Sequence, residues 1–335
     1  MKNRFLVSII VLFLSVNISS QKQIKIGIIG LDTSHAIAFT DLLNGVNSIK
    51  EYQDFRIVAA YPYGSQTIKS SYDRIPQYIE NVKKQGVEIV PSISELLKKV
   101  DCVLLETNDG NLHLEQALEV FKSGKTTFID KPLGASLAQS IAIFELAKKY
   151  NISLFSTSSL RYMSQAQKIR NKEFGKILGA DCFSPHKAEP SHPDFGWYGI
   201  HGVEILYTVM GTGCVAVNRM STDSSDVVVG KWKDGRIGTF RANQLGKFVY
   251  GGTAFTVKGP ISVGTYEGYE GLLKEILKFF KTNIVPVSEK ETLEIFTFME
   301  ASNVSKAQNG KIIYMEDIYK KGQKDAKKLI KKLKL

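Results

Sequence analysis

Between Ile24 and about Thr157 short apolar runs alternate with longer stretches of helical hydrophobic spacing. The runs Ile24–Ile29, Phe55–Tyr61, Glu88–Val90, Cys102–Glu106, Thr127–Asp130 and Ser153–Ser156 read as strands. Helices are expected between them, including Ser92–Lys99, Leu112–Lys122 and Leu137–Lys149. Ser92-x-x-Glu95 is a capping box, in which the serine hydroxyl satisfies a free amide of the first turn. Strands separated by helical segments imply a doubly wound parallel sheet.

After Thr157 the pattern changes. A helix near Gln165–Lys172 leads to a strand at Ile177–Phe183, a polar loop at Ser184–Gly196 and a helical stretch at Trp197–Met210. Strands then follow in succession at Val215–Thr222, Val227–Lys233, Arg236–Ala242 and Ala254–Val257, with Asp234-Gly235 as a type I′ hairpin signal. Helices Gly268–Lys281 and Glu289–Ala307 close the chain, the second entered through Ser288-x-x-Glu291. Successive hairpins predict an open, mostly antiparallel sheet. The length of 335 residues exceeds one ordinary core. The fold class is therefore α/β: a Rossmann-type domain over 21–157 and an α/β substrate domain over 158–319.

Composition alters this picture at the two ends. Residues 1–20 pair Lys2 and Arg4 with an apolar run and small residues, a leader expected to be cut after Ser20, giving a periplasmic or secreted protein. Much of the net +11 lies in the terminal segment 320–335, where eight lysines face one aspartate. The body is close to neutral, which argues against a nucleic-acid partner. The lysine-rich tail has helical spacing through Ala326, Leu329, Ile330 and Leu333, so a packed helix is favoured over membrane contact. Cys102, Cys182 and Cys214 lie in apolar strands at spacings that give no disulfide or zinc framework. His186, His192 and His201 lie near Glu189 and Asp194, but their spacing fits no compact metal motif, and no metal is expected.

Candidate chemistry sits where strands end. In open parallel sheets the ligand crevice lies at the carboxyl ends of the strands. Lys131 follows one such strand in Thr127-Phe-Ile-Asp-Lys-Pro132. The first strand runs into Gly30-Leu-Asp-Thr-Ser-His35. A dinucleotide-binding turn places glycines at the first, third and sixth of these positions. Only Gly30 is present; Asp32 and His35 occupy the others, and Asp32 reads as a helix cap. The second strand ends Ala60-Tyr-Pro62, without the acidic residue that holds an adenosine ribose.

The segment Val103-Leu-Leu-Glu-Thr-Asn-Asp-Gly-Asn-Leu-His113, followed by Ala117, Ser123-Gly-Lys125 and Asp130-Lys131-Pro132, resembles the Gfo/Idh/MocA oxidoreductase family. Ser159-Leu-Arg-Tyr162, Phe174-Gly-Lys-Ile177, Gly199-Ile-His201 and Tyr269-Glu-Gly-Leu-Leu273 extend the resemblance over the mature chain. The resemblance implies NAD or NADP as cofactor and a carbohydrate or polyol as substrate. It assigns Lys131 and His201 to the reaction centre. Gly30, Thr33, Ser34, Thr107, Asn111, His113 and Asp130 become cofactor-binding candidates, and Arg161, Trp197 and Glu204 substrate-binding candidates. Glu204, one turn after His201, is expected to orient the imidazole. Trp197 stands where the family pattern has an aspartate. That departure keeps two alternatives open: glycoside cleavage through transient oxidation, and non-catalytic sugar binding. A homo-oligomer is also left open.

Overall fold

The computed structural model describes residues 23–333 apart from positions 47 and 248. The expected leader lies outside the described residues. The first half runs β1 (Ile24–Ile29), α1 (Ser34–Asn44), β2 (Phe55–Tyr61), α2 (Lys69–Tyr72), α3 (Ile75–Lys83), β3 (Glu88–Ile89), α4 (Ile93–Leu97), β4 (Cys102–Leu105), α5 (His113–Lys122), β5 (Thr126–Ile129), α6 (Leu137–Lys149) and β6 (Leu154–Phe155). The strands form a six-stranded parallel sheet in the order β3-β2-β1-β4-β5-β6. This is the doubly wound order, which reverses between β1 and β4 and opens a crevice there. β4 is buried along its whole length, as expected of a strand covered by helices on both faces.

The second half runs α7 (Ser164–Arg170), β7 (Ile177–Pro185), α8 (Gly199–Met210), β8 (Cys214–Ser221), β9 (Ser225–Trp232), β10 (Ile237–Asn243), β11 (Gly251–Thr256), β12 (Gly259–Ser262), α9 (Glu270–Thr282), α10 (Glu289–Ala307), β13 (Ile313–Tyr314) and α11 (Met315–Lys332). Its sheet has the order β12-β11-β7-β10-β9-β8-β13, antiparallel except for β7 beside β10. α8 is buried at every position and packs on β7 and β10.

Three local readings change. The β9–β10 hairpin turns at Asp234-Gly235, but Gly235 alone is left-handed there (φ 89°), so the loop is not type I′. Lys320 lies inside α11, which begins at Met315 and packs on α6 through a face that includes Ile318 and Ala326, so the lysine-rich segment is not a separate tail. Ser288 caps α10 by accepting the Glu291 amide, but the Glu291 carboxylate turns to arginine. All three cysteines are free and buried. Among the described residues no helix is long and apolar enough to cross a membrane.

One buried ion network joins the two halves. Arg161, in the 3-10 turn after β6, is 1% exposed. Its guanidinium pairs with Glu204 on α8 and lies 2.6 Å from Glu291 on α10, while its Nε donates to Thr157 at 2.8 Å. Arg170 adds a second cation to Glu291 at 2.8 Å. Arg161→Ala would leave buried carboxylates short of a partner. It should cost about 3–5 kcal/mol in urea unfolding; a loss under about 1 kcal/mol, the range of an exposed pair, would contradict a structural role for the network.

Candidate active site

At the β1–β4 reversal a cavity of about 230 Å³ opens between the sheets. Thr33, Ser34 and His35 enter it from the start of α1, Asn108 from the loop after β4 and Lys131 from the end of β5. Ser70 and Arg74 close one side. Lys187, Trp197 and His201 come from the second half, with Tyr250, Tyr266 and Tyr269 completing an aromatic wall.

Each group has a local reason for its place. Gly30 holds φ 90° and faces the Thr107 backbone so closely that a Cβ would lie 2.5 Å from its amide nitrogen. This brings the β1 turn against the β4 loop. α1 then starts with Thr33 as N-cap and Ser34 exposed toward the cleft, so free amides of its first turn point at whatever binds there. Lys131 follows β5, and its ammonium lies 6.0 Å from the centre of a Trp197 ring. His201 is carried by the first turn of α8, and its Nδ1 shares a 2.6 Å hydrogen bond with Ser158 Oγ. Burial pushes the His201 pKa well below the ordinary value, and the charges of Lys131 and His35 add to the effect. The ring is therefore neutral near pH 7.

Beneath the cleft lies a buried polar cluster. His35 Nδ1 is 3.0 Å from Asp130 Oδ1 and 3.6 Å from Glu106 Oε2. Burial alone would lower the His35 pKa, but the two carboxylates outweigh it and raise the value to about 10. Burial raises Glu106, whereas His35 and Lys131 hold Asp130 low. Tyr269 packs on His35, with ring centres 4.5 Å apart, and its hydroxyl meets Ser34 Oγ at 2.9 Å.

The remaining candidates are distributed as follows. Arg161 and Glu204 belong to the buried ion network, not to the cavity wall. Glu204 accepts from Thr157 Oγ1 and the Ser158 amide, so it reaches His201 only through Ser158, which holds the imidazole in its place. His113 is fully buried between the carbonyls of Thr107 and Leu133, a bracing role that leaves neither ring nitrogen for a ligand. Thr107 is fully buried, and Asn111 ties Asp109 to the Ser191 carbonyl outside the cavity. Asp130 is directed at His35. The three histidines near 186–201 separate: His186 pairs with Asp194, His192 Nε2 accepts the Gly110 amide, and His201 faces the cleft. Sequence reasoning missed Arg74, Lys187 and the tyrosine wall, which no spacing marks. It also missed Glu106 as a partner of His35, although both lie at strand ends.

Fit to a dinucleotide divides at Asp32. At the phosphate and nicotinamide end the α1 amides, Ser34, Arg74 and Lys131 face one space, a suitable donor set for a phosphate. Asp32 does not cap α1. It is fully buried and accepts the amides of Ser65 and Asn108, each at 3.1 Å. It thus stitches the loop after β2 to the loop after β4, where the adenosine half of a dinucleotide runs. Burial raises its pKa to about 6, against the pull of those amides. The carboxylate is absorbed by the protein, so the α1 amino terminus stays open to an anion.

Protonation of His201 is disfavoured in the folded chain relative to the unfolded one, whose histidine pKa is about 6.5. Its contribution to stability is intact above that pH and is lost as pH falls below it. Melting temperatures between about pH 8 and about pH 5 should fall more steeply for the wild type than for His201→Gln. Parallel curves would contradict a buried neutral imidazole.

Residues 24–157 match the family described as oxidoreductase, NAD-binding Rossmann fold (Gfo/Idh/MocA). Among curated proteins no sequence matches the chain. Solved structures match over most of it. A protein of Thermotoga maritima described as a probable dehydrogenase superposes with TM-score 0.70 at 20% identity, covering 88% of this chain and 99% of the other. Scyllo-inositol dehydrogenase of Lactobacillus casei, with bound NAD(H) and scyllo-inositol, gives 0.69 at 16% identity over 88% and 100%. Myo-inositol dehydrogenase of the same organism, with NAD(H) and myo-inositol, gives 0.68 at 14% over 87% and 96%. At these identities the superpositions establish the fold. The likeness to the Gfo/Idh/MocA oxidoreductase family thus rests on residues 24–157, the Rossmann domain, which match its NAD-binding model.

Proposed function

We propose that the protein is an NAD(P)-dependent oxidoreductase acting on a secondary hydroxyl of a carbohydrate or cyclitol, with Lys131 and His201 at the reaction centre. One observation carries this reading: a lysine and a buried histidine, brought from different halves of the chain, face the same cavity. The inositol ligands of two structural neighbours support the substrate class.

The division of labour follows from the surroundings. With Nδ1 anchored on Ser158, the other nitrogen of His201 is left to exchange a proton with a substrate hydroxyl. Lys131 stabilises the alkoxide that develops there. The hydroxyls of Tyr250, Tyr266 and Tyr269 offer a polar wall to a polyol ring, and Trp197 offers an apolar face. Thr33, Ser34 and Arg74 would hold the cofactor phosphates. Bound NAD(P) supplies the hydride acceptor or donor.

Full-length protein supplied with NAD+ or NADP+ should reduce it in the presence of one or more inositols or sugars. Lys131→Ala and His201→Ala should each lower kcat/KM by about 10²–10⁴-fold in protein that remains folded. Turnover that survives both substitutions would contradict the assignment. Ligand binding with no turnover across the panel would favour the non-catalytic alternative.

A further inference from the structure

We propose that His35, Glu106 and Asp130 form a divalent-cation site at the floor of the cleft. The three come from three different strand ends: β1 through its turn into α1, β4 and β5. One nitrogen and two carboxylate oxygens lie within 4.8 Å of one another. Ligands that share one cation at about 2.0–2.2 Å stand about 3 Å apart when adjacent, close to the 3.0 and 3.6 Å separations of His35 Nδ1 from the two carboxylates.

Unmet hydrogen-bonding capacity is the independent sign. Glu106 is 0% exposed, and neither of its oxygens has a hydrogen-bond partner. Asp130 Oδ2 and His35 Nδ1 are likewise without one, although Nδ1 approaches Asp130 closely. Buried carboxylates ordinarily accept several hydrogen bonds. Here carboxylate lone pairs converge on one imidazole nitrogen, whose proton a divalent cation would replace. Asp130 is also held from behind, as a ligating carboxylate usually is, since its Oδ1 accepts the Lys131 amide at 2.8 Å.

Ligand type narrows the occupant. One imidazole and two carboxylates suit a borderline divalent ion such as Zn²⁺ or Mn²⁺ better than a thiolate-seeking one. The Lys131 charge opposes a cation, but two carboxylates outnumber it, and its ammonium lies toward Trp197. His35 borders the cavity, and Glu106 and Asp130 lie fully buried beneath it. Cation binding itself does not depend on the polyol reading.

Full-length protein stripped with a chelator is titrated with ZnCl2 and separately with MnCl2 by calorimetry. We expect one equivalent of at least one of them, and a rise in melting temperature on binding. Glu106→Gln, which keeps the side chain's shape, should weaken binding at least tenfold and abolish the melting shift. His35→Ala should do the same, and Asp130→Asn serves if either variant fails to fold. His186→Ala, whose ring pairs with Asp194 elsewhere, should bind as the wild type does. Absence of uptake of both metals below about 1 mM would overturn the proposal. So would wild-type affinity in the folded Glu106, His35 or Asp130 variants. Loss of turnover in Lys131→Ala with metal uptake retained would separate this site from the reaction assigned to the cleft.

Discussion

The cleft depends on a guanidinium held out of water. Arg161 sits on the loop that leaves the parallel sheet, and its carboxylate partners sit on α8 and α10 of the second half. A buried cation between two buried anions tolerates little displacement, because any separation exposes uncompensated charge to a poorly polarisable interior. Glu204 thereby fixes the rotation of α8. His201 lies one turn earlier on that helix, so the same constraint that joins the halves also aims the imidazole. Ser158 completes the link: its amide donates to Glu204, and its hydroxyl meets His201.

A second theme is charge gathered at strand ends. The reversal of strand order between β1 and β4 brings Asp32, His35, Glu106, Asp130 and Lys131 into one region. A standard dinucleotide turn uses glycine at two of these positions to bring backbone near phosphate. This chain spends the first departure, Asp32, on tying two loops together, and the second, His35, on a buried polar cluster. The α1 amino terminus remains presented to the cleft with Ser34 exposed. The site therefore keeps an anion-binding end while rebuilding its floor.

How much of this could be read in the chain depends on the distance over which each signal acts. β1, β2, α6 and α10 were legible to the residue, because period-2 or helical spacing and local caps determine them. α2 and the short edge strands β12 and β13 were not, since few apolar positions mark them, and α3 was missed although Ile75, Tyr78, Ile79 and Val82 recur at helical spacing. Lys131 and His201 were legible as candidates because strand-end position and motif are local properties. Arg161 and Glu204 were legible as important but not as a pair: their opposite charges meet only after two sheets pack. The same holds for His35 with Glu106, and for the tyrosine wall built from Tyr250, Tyr266 and Tyr269. His113 stood inside a motif and proved to brace two carbonyls, a role visible only once the Leu133 loop is in place.

The central claim is that a nicotinamide dinucleotide binds this cleft from the α1 amino terminus despite the Asp32 stitch. Native mass spectrometry of the full-length protein with NAD+ and with NADP+, on the wild type and on Asp32→Gly, tests it most directly. The account predicts one dinucleotide per chain in the wild type and tighter retention in Asp32→Gly, which restores the glycine and frees the β2 loop. No adduct with either dinucleotide in both proteins would contradict it.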